Sequence, residues 1–290
     1  MAGVLLRAPT LLVLLILLAP GEALAQMDLS GFWDPLFSED QEERVPGPAI
    51  GDYLGLPIND AARMRADSWD ASLLTLPEHQ CKPHPSTYGF RGVGLLRIWP
   101  DLDNTTQRIV KINTHIQWME QQRAIWMDGR PHPPESAAHT WQGFSTGQWE
   151  GNTLVVSTTH LKAGWMRRNG LALSDRATMT DRFTRHGDVL THVSIVEDPV
   201  YLTEPLVKTN GFRLNLRGQM QPYPCQVVEE VARARGEVPH HLPGTNPYLS
   251  EFATRHHLPF EATRGGAETA YPEYVRTLHD EAARSSGSKE

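Results

Sequence analysis

Three histidines on predicted strands have the residue type and spacing for acid/base chemistry. His115, His160 and His192 each fall in a predicted β-strand, where side chains alternate between two faces. Histidine is the usual proton carrier near neutral pH, and a carboxylate can orient an imidazole and raise its basicity. Asp198, beside Glu197, supplies such a carboxylate at the end of the strand that carries His192. The sequence therefore predicts a catalytic set of His115, His160, His192 and Asp198.

The strand that carries His115 has one apolar face and one polar face. Val110, Ile112 and Thr114 alternate with Lys111, Asn113, His115 and Gln117. The polar face is either a solvated outer surface or the wall of a polar lumen. Because Asn113 and Gln117 are uncharged hydrogen-bonding groups, we favour the lumen, with His115 pointing into it.

His160 and His192 project from the mainly apolar faces of their strands. Each is therefore either a buried, hydrogen-bonded core histidine or a catalytic group. The tryptophans of the β region either fill a core or line a cavity. Polar and aromatic side chains near the histidines are predicted to bind substrate, with Arg123 or Arg182 on an anionic or carbonyl oxygen: Asn113, Gln117, Arg123, Trp141, Trp149 and Arg182.

A formal Gly-x-Ser-x-Gly motif spans Gly143 to Gly147, with Ser145 at its centre. In a serine nucleophile elbow, a strand precedes the serine and a helix follows it. Here the following residues, 148–159, contain a Gly-Asn turn and a β-branched run, which predict a hairpin. We expect the motif to have no catalytic meaning.

Short β-patterned segments separated by Gly-containing turns predict a mainly β fold. The expected form is an antiparallel, lipocalin-like β-barrel or a curved sandwich with short flanking helices. The domain prediction is a signal peptide at 1–25, an N-terminal segment with a short helix at 26–90, the barrel at 91–225 and a helical or irregular extension at 226–290. Predicted strands cover 95–99, 109–120, 124–127, 142–149, 153–160, 177–185, 189–198 and 212–216, and predicted helices cover 59–72, 248–256 and 273–283.

The first 25 residues have the pattern of a secretory signal. Arg7 precedes an apolar run, and Ala23-Leu24-Ala25 forms a small-residue cleavage site. The run is too short for a membrane span, so we expect a periplasmic or secreted protein without membrane insertion. The formal net charge is -7, which disfavours nucleic acid as a partner and leaves a small molecule as the expected one.

Cys81 and Cys225 are the two cysteines of the chain, and both follow the signal segment. In an oxidising compartment the default is a disulfide between them, and the alternative is two buried thiols. No nucleotide motif and no metal-ligand spacing is evident, so the sequence predicts neither a cofactor nor a metal.

The stretch Trp141-Gln-Gly-Phe-Ser-Thr-Gly-Gln-Trp-Glu-Gly151 resembles the mark of a largely uncharacterised group of secreted, β-rich bacterial proteins. The resemblance extends over residues 95–205 and carries no activity. That group is expected to have Asp at the position of Asn152. Gly31-Phe32-Trp33 resembles the Gly-x-Trp of lipocalin-like barrels, which favours a barrel over a sandwich.

Together these features predict an exported, cofactor-free enzyme of the lyase or isomerase type. It would carry out elimination, isomerisation or hydration on a small, partly apolar organic molecule. One alternative is a non-catalytic, lipocalin-type ligand-binding protein. Another is an envelope interaction protein that grips a partner through the segment from Glu229 onward.

Overall fold

A closed β-barrel organises the chain in the computed structural model, which describes residues 27–37, 47–226 and 231–287. The mainly β, antiparallel barrel predicted from the sequence is confirmed. The predicted signal peptide, 1–25, lies outside the described residues. No described helix combines the length and the apolarity needed to cross a membrane.

Nine strands form the wall in the spatial order β1-β11-β10-β9-β6-β5-β4-β3-β2. All neighbouring strands are antiparallel except β4 and β5, whose parallel pairing covers only two register pairs. The wall strands are β1 (Gly31–Pro35), β2 (Leu96–Leu102), β3 (Ile109–Ile116), β4 (Gln121–Trp126), β5 (Phe144–Glu150), β6 (Thr153–Thr159), β9 (Thr178–His186), β10 (Val189–Glu197) and β11 (Leu206–Leu214).

Two short strands and several short helices lie outside the wall. The strands, β7 (Gly164–Trp165) and β8 (Ala172–Leu173), pair with each other. The helices are α1 (Asp60–Asp67), α2 (Pro77–Gln80), α3 (Ser86–Gly89), α4 (Glu251–Arg255) and α5 (Pro272–Gly287), with 3-10 turns at Ala71–Thr75, Trp118–Glu120, Phe260–Thr263 and Ala267–Ala270.

The N-terminal segment contributes a strand to the barrel, which the predicted boundary at residue 91 did not include. Trp33 of β1 pairs with Leu96 on one side and with Leu214 on the other. Strand β11 also begins earlier than predicted, at Leu206. The polar residues Lys208 and Asn210 on its inner face break the apolar alternation on which the prediction relied.

The barrel interior contains a packed core instead of the shared hollow expected from the sequence. Trp33, Leu154 and Phe183 are each at most 1% exposed, and every such buried side chain adds about 1.5–3 kcal/mol of hydrophobic stabilisation. The core consists of thirteen buried side chains: Leu29, Trp33, Phe90, Leu96, Ile98, Ile112, Ile116, Ile125, Leu154, Val156, Phe183, Leu190 and Phe212.

The helices α1 to α3 and the strands β7 and β8 form a cap over one end of the barrel. Phe90, which follows α3, enters the core and packs against Phe183 and His192 at ring-centroid distances of 5.5 and 4.2 Å. A second core beneath the cap joins α1 and β8 to the barrel ends of β9 and β10. The C-terminal segment packs on this cap, where Arg264 pairs with Asp67 at 2.6 Å.

Candidate functional site

The structure brings together two of the predicted site residues, Arg123 and His192, inside the barrel. Asp181 of β9 joins them: its carboxylate accepts a hydrogen bond from Nη2 of Arg123 at 2.7 Å and contacts Nε2 of His192 at 2.8 Å. Arg123 also donates to the hydroxyls of Ser145 and Thr158. Alternation places all these side chains on the inner face, because they are in phase with the core residues of the same strands.

The charges of this inner cluster balance each other. Burial alone would raise the pKa of Asp181, but the charge of Arg123 and the hydrogen bond from His192 outweigh burial and lower it. Burial lowers the pKa of His192 despite its carboxylate partner, so the imidazole is neutral. An ionised Arg123–Asp181 pair in this position can stabilise the barrel. Nη1 of Arg123 is buried without a partner among the described residues, and Arg123 and Ser145 line a cavity of about 460 Å³ together with Trp141.

His115 lies on the outer face of β3, so the expectation that it lines a lumen is wrong. Its neighbours Thr114 and Ile116 are buried in the interior, and alternation directs His115 the other way. Its Nε2 lies 3.1 Å from a carboxylate oxygen of Glu120. Asn113 shares this outer face, and Gln117 accepts a hydrogen bond from Leu95 in the turn after β3.

His160 also lies outside the barrel. The strand ends at Thr159, and the backbone of His160 turns at a φ of +56°, so the phase of Leu154 and Val156 does not continue to it. Its ring contacts the Thr159 hydroxyl at 2.8 Å and the Pro134 carbonyl at 3.0 Å. The three predicted catalytic histidines therefore have no shared partner.

The other predicted site residues have local structural partners. Asp198 accepts hydrogen bonds from the backbone and hydroxyl of Ser174, both at 2.7 Å, and so holds the loop before β9.

Three residues predicted to bind substrate also have structural contacts. Arg182 pairs with Glu150 at the surface at 2.9 Å. Trp149 packs against the barrel core. Trp141 lies beneath the ammonium groups of two lysines, Lys82 and Lys162.

Ser145 is an inward-facing strand residue, not the centre of a nucleophile elbow. Strand β5 continues past it to Glu150, and its hydroxyl contacts Arg123 and Thr158 at 2.9 Å each. The sharp strand-to-helix turn that exposes a catalytic serine is therefore missing at this position.

A cavity of about 1100 Å³ is a groove on the outer wall. It lies between the 129–132 loop and the outer faces of β5 and β6. His132 is the groove's one histidine among the described residues, and its two ring nitrogens contact Thr159 at 2.8 Å and Thr146 at 2.9 Å. With both nitrogens engaged, this imidazole offers no free atom to a ligand.

A smaller cavity, of about 230 Å³, lies in the cap beside the disulfide. We call it the cap cavity. Its walls come from the 3-10 turn at Ala71–Thr75, α2, α3, the turn after β3 and the four loops that carry His84, Arg91, Arg168 and Tyr223. Pockets for drug-sized ligands measure about 300–1,000 Å³, so this one suits a smaller molecule. It is lined by Leu74, His79, Gln80, His84, Tyr88, Arg91, Gly92, Val93, Trp118, Met119, Arg168 and Tyr223.

His84 is the most unusual group in the cap cavity. Its side chain is only 3% exposed, yet Nδ1 has no hydrogen-bond partner among the described residues. The ring stacks on Trp118 at a centroid distance of 4.5 Å and lies 5.0 Å from the ring of Tyr88. A buried polar atom without a partner costs about 1–3 kcal/mol, and a ligand atom that pairs with Nδ1 would recover this cost.

The electrostatic environment keeps the imidazoles of the cap cavity neutral. Burial lowers the pKa of His84 to about 3, and the charges of Arg168 and Lys82 contribute to the shift. Burial and Lys82 also lower the pKa of His79. A strongly perturbed histidine in a cleft with identifiable charged neighbours is a typical mark of a functional site.

The disulfide holds two walls of the cap cavity together. Cys81 and Cys225 are bonded, as predicted, with Cα atoms 5.5 Å apart. Cys81 lies between His79 and His84 in sequence, and Tyr223 precedes its partner. His84 is not among the site residues predicted from the sequence. The sequence feature that could have identified His84 is its position between Pro83 and Pro85, close to a cysteine of the predicted disulfide.

Comparison of the chain with protein-family models, curated proteins and solved structures found no match in any of the three.

The neutral state of His84 predicts a pH-dependent contribution to stability. Its folded pKa lies below the usual value of 6.5, so this contribution is complete above pH 6.5 and is lost as the pH falls towards 3. At about 1.4 kcal/mol per pH unit, roughly 3 kcal/mol disappears between pH 6.5 and pH 4. The charged or titratable groups facing it are His79, Lys82, Tyr88, Arg91, Arg168 and Tyr223.

This prediction is measured by urea unfolding of the wild type and His84→Gln between pH 7 and pH 4. The difference in unfolding free energy between the two proteins should shift by about 3 kcal/mol in favour of the variant at pH 4. Because His192 is present in both, its own contribution cancels. If the free energy of unfolding of the two proteins depends on pH in the same way, His84 is not held neutral by its surroundings.

Proposed function

We propose that this protein is an exported enzyme that performs acid/base chemistry on a small, partly apolar organic molecule in the cap cavity. The reaction class is the one expected from the sequence. The proposed catalytic residues are different from those predicted from the sequence. The observation that carries the proposal is the unpartnered, buried Nδ1 of His84 in a cavity beside a guanidinium group. Export is supported by the Cys81–Cys225 disulfide.

His84 would act as the proton acceptor. A general base must be unprotonated at the working pH, and the depressed pKa of His84 keeps its imidazole in that form. Such an imidazole is a weak base in the empty cavity. Its basicity rises when negative charge develops on a neighbouring substrate, because the new anion stabilises the imidazolium.

Arg168 would stabilise that developing charge. In the proposed step, a C–H bond next to a carbonyl group breaks and the proton moves to Nδ1 of His84. The C–H electron pair forms a C=C bond, and the π electron pair of the carbonyl moves to its oxygen, which becomes an oxyanion beside Arg168. When a C=C bond is conjugated with the enolate, return of the proton from Nδ1 to the far carbon of that bond restores the carbonyl and completes an isomerisation. When the carbon next to the deprotonated one carries a leaving group, the group departs with its bonding electron pair, the carbonyl is restored and an elimination is complete. Trp118, stacked on His84, would hold the apolar part of the substrate.

The test is hydrogen–deuterium exchange at carbon in two probes, phenylacetone and phenylpyruvate, followed by NMR in D₂O. Removal of a general base typically reduces the rate 10²–10⁴-fold, so His84→Gln should lose at least about 100-fold in exchange rate. His115→Gln is the matched control because that histidine lies on the outer face of β3, and it should exchange at the wild-type rate.

Two outcomes would contradict the proposal. One is equal exchange by the wild type and His84→Gln, and the other is loss of exchange in His115→Gln instead. Binding of both probes without any exchange would identify a carrier protein rather than an enzyme.

A further inference from the structure

We infer that the ligand of the cap cavity is a planar organic anion, with its carboxylate on Arg168 and its ring against Trp118. This inference rests on the proposed site and adds the chemical class of the molecule. It would make the substrate an aromatic or otherwise flat 2-oxo acid, close to phenylacetate in size, whose carboxylate and adjacent carbonyl oxygen can both lie against the guanidinium of Arg168.

The charged side chains that line the cavity have one sign. The nearby carboxylate of Glu120 lies outside the lining and accepts a hydrogen bond from the backbone of Tyr223 at 2.8 Å. Arg91 and Arg168 line it, and Lys82 is close enough to act on His84. No Asp or Glu is found among the described residues of its lining. Glu78, on the same short helix as His79, is engaged by Arg233. The whole chain has 34 acidic and 27 basic residues. Its composition therefore does not explain why the charged residues of the lining are all cationic.

Arg168 has a free donor for an anion. Its Nε is buried and has no hydrogen-bond partner in the part of the chain that the structure describes. By contrast, the adjacent Arg167 donates to the carbonyl of Asp52 at 2.9 Å. The planar guanidinium fork matches the two oxygens of a carboxylate and can bind them side by side. An anion at Arg168 would also offset the positive charges that surround His84.

Flat rings set the shape of the remaining space. Trp118 and Tyr88 lie 6.2 Å apart with an angle of 60° between their planes, and His84 lies against both. The side chain of Met119 completes this wall. Faces of aromatic rings favour offset stacking with another planar group, whereas a branched aliphatic group makes poorer contact. A volume of about 230 Å³ has room for one ring and a short acidic arm.

The test compares four probes by calorimetric titration of the purified protein: phenylacetate, its neutral isostere phenylacetamide, the cation 2-phenylethylamine and inorganic phosphate. Phenylacetate should bind at least tenfold more tightly than each of the others. Arg168→Met should abolish the preference for phenylacetate over phenylacetamide. Arg213→Met is the matched control, because that arginine is exposed on β11, and it should keep the preference.

Equal binding of phenylacetate and phenylacetamide, or a preference that persists in Arg168→Met, would overturn the assignment of an anion. Phosphate binding as tight as that of phenylacetate would overturn the assignment of a planar organic group. The exchange assay separates this inference from the proposed function. A carboxylate preference without carbon exchange leaves the ligand class standing and removes the catalysis. Exchange in phenylacetone without a carboxylate preference removes the ligand class and leaves the catalysis standing.

Discussion

An Asp181→Asn variant is expected to lose about 3–5 kcal/mol of its free energy of unfolding. The substitution keeps the shape of the side chain but removes the negative charge that faces Arg123, whose side chain is 2% exposed. Arg123 would then be a buried cation with only hydroxyl partners. Desolvation of such a charge is costly, because the low-dielectric interior no longer supplies a compensating anion. Urea denaturation followed by circular dichroism measures the loss.

Glu150→Gln is the matched control for this prediction. It removes one charge from the Arg182–Glu150 pair, which also joins β9 to a neighbouring region of the wall but is about half exposed. Surface pairs of this kind contribute about 0–1 kcal/mol. If both variants lose the same amount of stability, the Arg123–Asp181 pair does not behave as a buried ion pair.

Removing the disulfide with the double substitution Cys81→Ala and Cys225→Ala is expected to cost about 2–5 kcal/mol. The bridge joins residues 144 positions apart, so its loss greatly enlarges the unfolded ensemble. The same change frees the segment that carries His79 and His84 from the segment of Tyr223. We therefore expect weaker phenylacetate binding at temperatures where the variant is still folded.

Unfolding curves of the wild type and the double variant under non-reducing conditions measure this effect. A wild-type sample treated with a reductant serves as the second comparison, and it should behave like the variant. Unchanged stability in both would mean that the barrel and cap contacts fix these segments without the covalent bond. Lower stability with unchanged phenylacetate affinity would show that the disulfide stabilises the fold but does not position the residues of the cap cavity.

Local patterns were sufficient to predict most of the wall of the barrel. Alternation and Gly-containing turns placed β6, β9 and β10 within one or two residues of their observed ends. Strand β11 was predicted too short, since Lys208 and Asn210 turn inward towards cap and barrel partners that only the folded chain provides. Strand β1 was not predicted, because five residues in an isolated segment carry little periodic signal.

The candidate site was harder to predict because its residues come from irregular segments. His84 follows a short helix, Trp118 is in a turn and Arg168 is in a loop, so no strand phase relates them. Sequence periodicity favoured histidines on strands, and of those His192 was correctly assigned to an apolar face. The depressed pKa of His84 results from burial beneath the cap, which depends on long-range packing rather than on neighbouring residues.

The pairing of β1 has a consequence for how the barrel assembles. Trp33 reaches its partner Leu214 across about 180 residues, and the wall closes only when these two ends meet. Contacts between residues so distant in the chain form slowly, because the loop-closure entropy is lost before the pairing energy is gained. The hairpins β5–β6 and β9–β10 can form early. The barrel stays open between β1 and β11 until these two strands pair. Until then the exposed edges of β1 and β11 are free to pair with other chains, so this step is the one most open to aggregation.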